Sequence, residues 1–259
     1  MNKPDEKELV IFDIDGTIVS YNGNTHIPEE TKEAVRRLRE NGHTVAFATS
    51  RDCTAARPVM TALDLSAAVL NNGAMVISGG AVIFQKRISR KLSAQIRENL
   101  LHTAFVVFAH DGRYVYEHNA SDESKRYISA QTGLCAVIRP LSVCNNALLS
   151  LNVYGVPKGS PVFSEFPDGV LYEENLHEIR ADGTSKSDGV IRLADFLGVK
   201  MSNVVTVGDG YNDIGMIKTA GTGAAVGKAC AELKEAADIV FDDIDCGGIK
   251  KGFENLNLI

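Results

Sequence analysis

Residues 10–17 read Val-Ile-Phe-Asp-Ile-Asp-Gly-Thr, and this stretch decides the fold. The apolar residues before Asp13 predict a buried strand, and Gly16 predicts a turn directly after it. Asp13 and Asp15 would then lie at the carboxyl end of that strand, where desolvating an unpaired carboxylate costs several kcal/mol. A capping aspartate followed by a turn would explain the segment structurally. A bound cation, a reaction, or both would explain it functionally.

Both ends of the chain alternate predicted strands with predicted helices. The strands are predicted at 44–48, 67–70, 204–207, 224–226 and 239–241. Helices are predicted at 54–63, 186–197, 212–219, 229–237 and 247–253, and another begins at Pro28 and ends at Gly42. A loop is predicted at 21–25, and Pro58 is a possible late start for the 54–63 helix. This alternation is typical of an α/β fold with a Rossmann-like, doubly wound parallel sheet.

The middle of the chain has a different pattern. Frequent prolines separate predicted strands at 105–109, 114–116 and 147–154 from predicted helices at 90–101 and 121–131. This pattern predicts an α+β insert with an antiparallel sheet. We therefore predict a core domain formed by residues 1–81 and 179–259, and an inserted domain formed by residues 82–178.

The composition is ordinary for a globular protein, with 259 residues, 44% hydrophobic and 23% charged. The net charge of −6 argues against nucleic acid or an anionic membrane as the main partner. Five cysteines without a Cys-x-x-Cys pair favour free thiols in a reducing cytoplasm. The polar, acidic first residues do not resemble a signal peptide, and no apolar run approaches the length of a membrane span. We predict a cytoplasmic protein, and a monomer because no exposed apolar stripe is evident.

Polar residues follow three of the predicted parallel strands. Asp13, Thr49 and Asp209 each stand at a carboxyl end, where the ligands of such sheets bind. The fold would bring them together despite their separation in sequence. The full candidate set is Asp13, Asp15, Thr49, Lys186, Asp209, Asn212 and Asp213.

This set is coherent for phosphoryl transfer. Its four carboxylates would repel one another, and Mg²⁺, which takes hard oxygen ligands and substrate phosphate, would remove that repulsion. Lys186 and the hydroxyl of Thr49 would contact the phosphate. Asp13 would attack phosphorus, and Asp15 would move the proton of the leaving oxygen and then that of the attacking water. Each residue alone also has a structural explanation, as a strand end, a surface lysine or part of a polar loop.

The order of these residues resembles the haloacid dehalogenase (HAD) superfamily of phosphotransferases. Residues 13–17 look like its first motif, and residues 208–213 look like its fourth. The resemblance implies that Asp13 is the nucleophile and that Asp15 is the acid/base. It implies a phosphate site formed by Thr49, Lys186 and Asn212. It also implies a Mg²⁺ site formed by Asp13, Asp209, Asp213 and the carbonyl of Asp15.

The position of the insert resembles the C2-type (C2B) cap of the Cof-like sugar-phosphatase branch. Residues 71–74, Asn-Asn-Gly-Ala, and 182–186, Asp-Gly-Thr-Ser-Lys, are similar to patterns of that branch. Ser50 departs from it, because glycine is common there, and adds a hydroxyl next to Thr49. The possible substrate contacts are Asn72, Gly73 and Arg51, with His110, Arg113, Tyr114, Tyr116 and His118 as candidates in the cap.

We therefore predict Mg²⁺-dependent hydrolysis of small phosphate monoesters, with sugar phosphates as the favoured class, through an aspartyl phosphate. Two alternatives stay open. A phosphomutase on the same core would let a sugar hydroxyl, rather than water, attack the aspartyl phosphate. A non-catalytic sugar-phosphate sensor would need no pair of carboxylates at Asp13 and Asp15.

Overall fold

The computed structural model describes residues 7–21, 26–126, 138–156, 170–173 and 176–259. The chain divides into two compact units. The first comprises the described parts of Met1–Ser50, Val59–Ile83 and Ser185–Ile259, and the second those of Arg51–Pro58 and Phe84–Thr184. The predicted loop at 21–25 and the predicted helix at 121–131 lie largely or partly outside the described residues.

The strands and helices of the described residues are numbered in chain order. The strands are β1 (Leu9–Phe12), β2 (Thr44–Ala48), β3 (Ala68–Leu70), β4 (Met75–Ser78), β5 (Ala81–Gln85), β6 (Val106–His110), β7 (Val115–His118), β8 (Ile138–Pro140), β9 (Ser150–Tyr154), β10 (Val170–Glu173), β11 (Leu176–Arg180), β12 (Val204–Gly208), β13 (Thr222–Ala225) and β14 (Ile239–Val240). The helices are α1 (Glu29–Glu40), α2 (Cys53–Ala62), α3 (Arg90–Leu101), α4 (Lys186–Leu197), α5 (Ile214–Thr219), α6 (Ala231–Ala236) and α7 (Gly248–Asn255).

The sheet of the first unit has the strand order β14-β13-β12-β1-β2-β3-β4-β5, and β5 continues into the second unit. Strands β14 to β3 pair in parallel, with Phe12 of β1 opposite Phe47 of β2 and Val207 of β12. All four residues of β1 are fully buried. Because alternate side chains point to opposite faces, both faces of the sheet are covered at this strand. The predicted doubly wound parallel sheet is confirmed.

Two helices show how local sequence sets their ends. Helix α4 has the predicted bounds: the Ser185 side chain accepts a hydrogen bond from the backbone N–H of Asp188 (3.1 Å), and the chain leaves the helix at Gly198 with φ +69°. Helix α1 begins one residue later than predicted. Pro28 is its N-cap rather than its first residue, and Asn41 is its C-cap.

Pro58 lies inside α2, so it does not mark a late start. The helix begins at Cys53 because the carboxylate of Asp52 accepts hydrogen bonds from the backbone N–H groups of Thr54 (2.7 Å) and Ala55 (2.8 Å). These bonds satisfy donors of the first turn that a helix cannot satisfy itself. The start of the helix is therefore held upstream of the proline.

Strands β4 and β5 are an addition that the sequence prediction missed. Strand β4 pairs antiparallel with β3, with Leu70 opposite Met75. The two residues between β4 and β5 are Gly79 and Gly80, with φ +57° and +79°. Paired positive φ values are what a tight hairpin turn requires, and a Gly-Gly pair between apolar runs is a hairpin signal. The sheet therefore ends in antiparallel strands rather than at β3.

The second unit has a six-stranded sheet in the order β10-β11-β9-β6-β7-β8. Its pairs are antiparallel except β7 and β8, which are parallel, so the predicted antiparallel sheet is correct in all but one pair. Helix α3 has the predicted bounds and contributes Ile96 and Leu100 to a buried cluster with Val107, Leu151 and Ile179. The predicted α+β character of the insert is confirmed.

Among the described residues, no helix is both long enough and apolar enough to cross a bilayer. Four cysteines fall within the described ranges, Cys53, Cys144, Cys230 and Cys246, and all four are free thiols. The predicted free thiols are confirmed for these four residues.

Candidate active site

Three carboxylates of the first unit meet at the carboxyl edge of its sheet. Asp13 follows β1 directly and Asp209 follows β12, and these strands are neighbours. The backbone N–H of Asp13 donates to the carbonyl of Val207 (2.9 Å), which extends the pairing of the two strands by one residue. One carboxylate oxygen from each of Asp13, Asp209 and Asp213 lies within 4.8 Å of the others, and we refer to these three carboxylates as the acidic group. Of the three residues predicted to converge at the strand ends, Asp13 and Asp209 are therefore close together.

Lys186 joins two of these carboxylates. Its Nζ donates to Oδ1 of Asp13 and to Oδ1 of Asp213, each at 2.6 Å. The lysine is 1% exposed although it is the first residue of α4. Burial disfavours its charge, but the two carboxylates outweigh burial and raise the pKa of Lys186. The ammonium therefore stays charged inside the site.

Asp213 also fixes the loop that carries Asp209. Its Oδ2 accepts hydrogen bonds from the backbone N–H groups of Asp209 and Gly210, each at 3.0 Å. Its side chain is fully buried. Since both of its oxygens already accept hydrogen bonds, Asp213 orders the loop and Lys186 as well as adding negative charge.

The turn after Asp13 is shaped around Asp209. Gly16 has φ +87°, and a Cβ at this position would lie 2.3 Å from Oδ2 of Asp209. The Oγ1 of Thr17 donates to Oδ1 of the same carboxylate at 2.8 Å. Thr17 belongs to the first motif predicted from the sequence, which gives it no role. Its contact lies 192 residues away, so only its place directly after Gly16 could have pointed to it.

The Asp15 carboxylate is not part of the acidic group. Its Oδ1 accepts a hydrogen bond from the phenol of Tyr21, and the Asp15 side chain is partly exposed. Asp13 is buried and Asp15 is partly exposed, so the two carboxylates of the first motif have different surroundings, as different roles require, although the charge of Asp15 also raises the pKa of Asp13. Tyr21 is predicted from the sequence only as part of a loop, so its contact with Asp15 is not predicted.

Thr49 lies in the same unit, at the end of β2, and is fully buried. Its backbone N–H donates to the carbonyl of Val69 (2.9 Å), and its carbonyl accepts from the N–H of Asn72 (3.0 Å). The Oδ1 of Asn72 in turn accepts from Nδ2 of Asn212 (3.2 Å). The predicted phosphate-binding residues Thr49 and Asn212 are thus linked through Asn72.

Gly73 and Arg51, two of the predicted substrate contacts, belong to different units. A Cβ at Gly73, with φ +91°, would lie 1.9 Å from the carbonyl oxygen of Ser185, so glycine is required for the close approach to the start of α4. Arg51 belongs to the second unit, where its guanidinium donates to the carbonyl of Ala55 (3.1 Å).

The electrostatics of the acidic group fit a divalent cation. Burial raises the pKa of Asp13 well above its usual range, and although Lys186 opposes this, Asp213 and Asp209 add to it. Burial and the charge of Asp213 raise the pKa of Asp209 to about 6. One ammonium therefore does not offset the negative charge of three close carboxylates. A hard cation such as Mg²⁺, which prefers oxygen ligands, matches both the donor atoms and the missing charge.

Comparison with known proteins agrees with this geometry. The family model for haloacid dehalogenase-like hydrolases matches residues 10–140 and 162–253. The chain belongs to this family. The match spans both motifs that carry the acidic group, so the family resemblance drawn from those motifs is confirmed.

Similar proteins cover nearly the whole haloacid dehalogenase-like chain. YkrA of Bacillus subtilis (strain 168), a putative phosphatase, is 26% identical and covers 98% of this chain and 99% of its own length. The pyridoxal phosphate phosphatase YbhA of Escherichia coli (strain K12) is 29% identical, covering 91% of this chain and 93% of its own. The structure of the HAD subclass IIB sugar phosphatase BT4131 matches with a TM-score of 0.86 at 22% identity, covering 98% and 100%. The predicted enzyme class, a phosphatase, is confirmed.

Proposed function

We propose that this haloacid dehalogenase-like hydrolase removes phosphate from small phosphate monoesters in a Mg²⁺-dependent reaction, with sugar phosphates as the favoured class. The observation that carries the proposal is the buried contact of Lys186 with Asp13, next to Asp209 and Asp213. A charged lysine, a carboxylate and a cation-binding group are the parts that phosphoryl transfer needs at one point.

Asp13 acts as the nucleophile. The ammonium of Lys186 holds Oδ1, and the other oxygen attacks phosphorus. As the new oxygen–phosphorus bond forms, the bond to the leaving oxygen breaks and Asp15 gives that oxygen its proton. Water then attacks the aspartyl phosphate, Asp15 takes the proton of the water, and inorganic phosphate leaves with Asp13 restored.

The remaining residues bind the phosphate and the cation. Thr49, Lys186 and Asn212 contact the phosphoryl oxygens. The carboxylates of Asp13, Asp209 and Asp213 would hold Mg²⁺, with the backbone carbonyl of Asp15 as a further ligand. When bound, Mg²⁺ offsets the negative charge of the phosphoryl group. Asn72, Gly73 and Arg51 are proposed substrate contacts.

Several similar proteins are named as phosphatases of small phosphate esters, and this favours such esters as substrates here. YbhA is a pyridoxal phosphate phosphatase, a relative from Serratia proteamaculans (strain 568) is an HMP-PP phosphatase, and BT4131 is a sugar phosphatase. The negative net charge favours small molecules over nucleic acid or membranes as partners, and the free cysteines favour the cytoplasm. The proposed monomer rests on the sequence pattern, in which no exposed apolar stripe is evident.

A phosphate-release assay across a panel of phosphate esters, with and without Mg²⁺, tests the proposal. We expect phosphate to be released from at least one sugar phosphate, and we expect this release to require Mg²⁺. Asp13→Asn should abolish the release while the variant still unfolds cooperatively. Asp195→Asn, an exposed aspartate on α4, is the matched control. Release without a bisphosphate activator excludes the mutase alternative. Turnover by Asp13→Asn at the wild-type rate would refute the assignment of Asp13 as the nucleophile. Tight binding of an ester without hydrolysis of any ester would favour the non-catalytic sensor.

A further inference from the structure

The second unit contains a cavity that the proposed phosphatase chemistry does not use. It has a volume of about 320 Å³, roughly ten times the share of one water molecule in the liquid. We refer to it as the arginine cavity. It is lined by Arg87, Arg90, Asp111, Arg113, Asn146 and Ala147.

The one carboxylate of this cavity is fully occupied. Oδ1 of Asp111 accepts from the backbone N–H groups of Arg113 (2.8 Å) and Tyr114 (2.7 Å). Oδ2 accepts from the phenol of Tyr116 (2.9 Å) and from Nδ2 of Asn146 (2.6 Å). The residue is 3% exposed. Asp111 therefore organises the wall of the cavity through four hydrogen bonds and forms no ion pair with the arginines among the described residues.

Arg87 is held in place by neutral acceptors. Its Nη1 donates to the carbonyls of Asp111 (2.5 Å) and Ala147 (2.9 Å), and its Nε donates to the side chain of Gln85 (3.2 Å). Three bonds to neutral oxygens fix the guanidinium without neutralising it. A guanidinium fixed in this way loses little further freedom when it binds an anion.

The other two guanidiniums are also without a carboxylate partner within the described ranges. Arg113 lies 5.2 Å from the ring centroid of Tyr114, and Arg90 is the exposed first residue of α3. Three guanidiniums and one carboxylate thus line one cavity, so its local charge is +2 in a chain whose net charge is −6. Like charges gathered without counter-charges are stabilised by an anion, and the guanidinium fork matches the oxygens of phosphate and carboxylate.

We propose that the arginine cavity binds a small-molecule polyanion through its phosphate or carboxylate groups. The occupant is a free anionic effector, and phosphate and carboxylate groups would share this binding chemistry. The proposal goes beyond the phosphatase function and does not depend on it, because binding is measured without turnover.

Titration calorimetry of the full-length protein tests the binding. The protein is first freed of divalent cations on a chelating resin, so that the acidic group of the first unit repels anions. Pyrophosphate and propane-1,2,3-tricarboxylate are the probes, at constant ionic strength. We expect saturable binding that falls about tenfold in Arg90→Gln and about a hundredfold in Arg90→Gln/Arg113→Gln, as expected for losing one and two charge-assisted contacts.

The matched control is Arg57→Gln, which removes one exposed positive charge of the same unit outside the cavity. Its affinity should stay within about twofold of wild type, as expected when no direct contact is lost. Thermal unfolding shows whether each variant keeps the wild-type fold. Failure of both probes to saturate in the millimolar range, or equal affinity in wild type and a folded double variant, would overturn the proposal. If the double variant does not fold, Arg90→Gln alone decides between these outcomes.

Kinetics with Mg²⁺ test what the bound anion does. We expect propane-1,2,3-tricarboxylate to change kcat for glucose 1,6-bisphosphate and glucose 6-phosphate alike in the wild-type enzyme, and we expect the double variant to lose this response. The calorimetry decides the site even if neither ester is hydrolysed.

Discussion

The ammonium of Lys186 lies 2.6 Å from Oδ1 of Asp13, and both side chains are almost entirely buried. The same ammonium lies 2.6 Å from Oδ1 of Asp213. Because the ammonium of Lys186 is the shared partner of two buried carboxylates, Lys186 has a structural role as well as the proposed contact with phosphate. The two roles make different predictions.

Lys186→Gln should lower both activity and stability. Removing the ammonium leaves two buried carboxylates without a counter-charge, a loss of about 3–5 kcal/mol in the free energy of unfolding. The proposed loss of phosphate stabilisation should lower kcat/KM by roughly 10²–10³-fold. Urea unfolding and phosphate release measure the two effects. Lys200→Gln, at an exposed position, is the control, and wild-type stability for Lys186→Gln would contradict the buried contact.

Mg²⁺ should stabilise the protein in a pH-dependent way. The pKa of Asp209 is raised to about 6 in the cation-free site, so the folded protein holds protons that the unfolded chain has released. The contribution of Asp209 to the stability of the cation-free protein should therefore fall as the pH rises from about 4 through 6. Mg²⁺ requires the ionised carboxylate, and its stabilising effect should grow over the same range.

Differential scanning fluorimetry with and without Mg²⁺ measures this effect. At a hundredfold excess over its dissociation constant, Mg²⁺ should add about 2.7 kcal/mol at pH 7. Asp209→Asn should lose most of the shift, whereas Asp195→Asn, at an exposed position, should keep it. An equal shift at pH 5 and pH 7 would count against a cation bound by Asp209.

Gly16→Ala should damage the acidic site. Alanine at φ +87° costs about 1–2 kcal/mol, and its Cβ would also displace the Asp209 carboxylate, 2.3 Å away. Gly80→Ala provides a matched comparison, because φ is +79° there but no atom lies within 4 Å of the added Cβ. Both variants should lose stability by strain, and only Gly16→Ala should lose the Mg²⁺ response. A normal Mg²⁺ response in Gly16→Ala would show that the turn does not shape the site.

Asp111→Asn should destabilise the second unit at neutral pH. Burial opposes the charge of Asp111, but its four hydrogen bonds outweigh burial and lower its pKa. A lowered folded pKa gives stability that is fully present above the unfolded value near 4 and is lost as the pH falls below it. We expect a loss of about 2 kcal/mol at pH 7, since hydrogen bonds to a charged group are worth about 1.5–3 kcal/mol each and asparagine keeps some of them. Thermal melts between pH 3 and pH 7 should show the difference shrinking at low pH, whereas Asp122→Asn, an exposed control, should match wild type throughout.

Much of the core could be predicted from local sequence, because each signal lies within a few residues. Apolar runs that end in Asp13 and Asp209 identify two strands, and the parallel arrangement follows from the alternation with helices. The Ser185 cap and Gly198 identify the ends of α4 for the same reason. The hairpin of β4 and β5 was missed although the Gly79–Gly80 pair was a readable signal.

The long-range contacts that complete the site could not be predicted from local sequence. Thr17 bonds to Asp209 across 192 residues, and Lys186 reaches Asp13 across 173. Such contacts depend on which strands become neighbours, which no local pattern specifies. The Tyr21 bond to Asp15 is close in sequence, but it depends on the path of an irregular turn.

The place of β1 in the sheet has a consequence for biosynthesis. Its neighbours are β2, which follows β1 after one helix, and β12, which begins at Val204. At about 5–20 residues per second, a ribosome needs roughly 10–40 s after finishing β1 before β12 is made. Throughout that interval one edge of a fully buried strand has no partner, and an unpaired apolar edge invites pairing with other nascent chains. The strand that leads into Asp13, the proposed nucleophile, is therefore the one whose exposed edge a chaperone would have to cover.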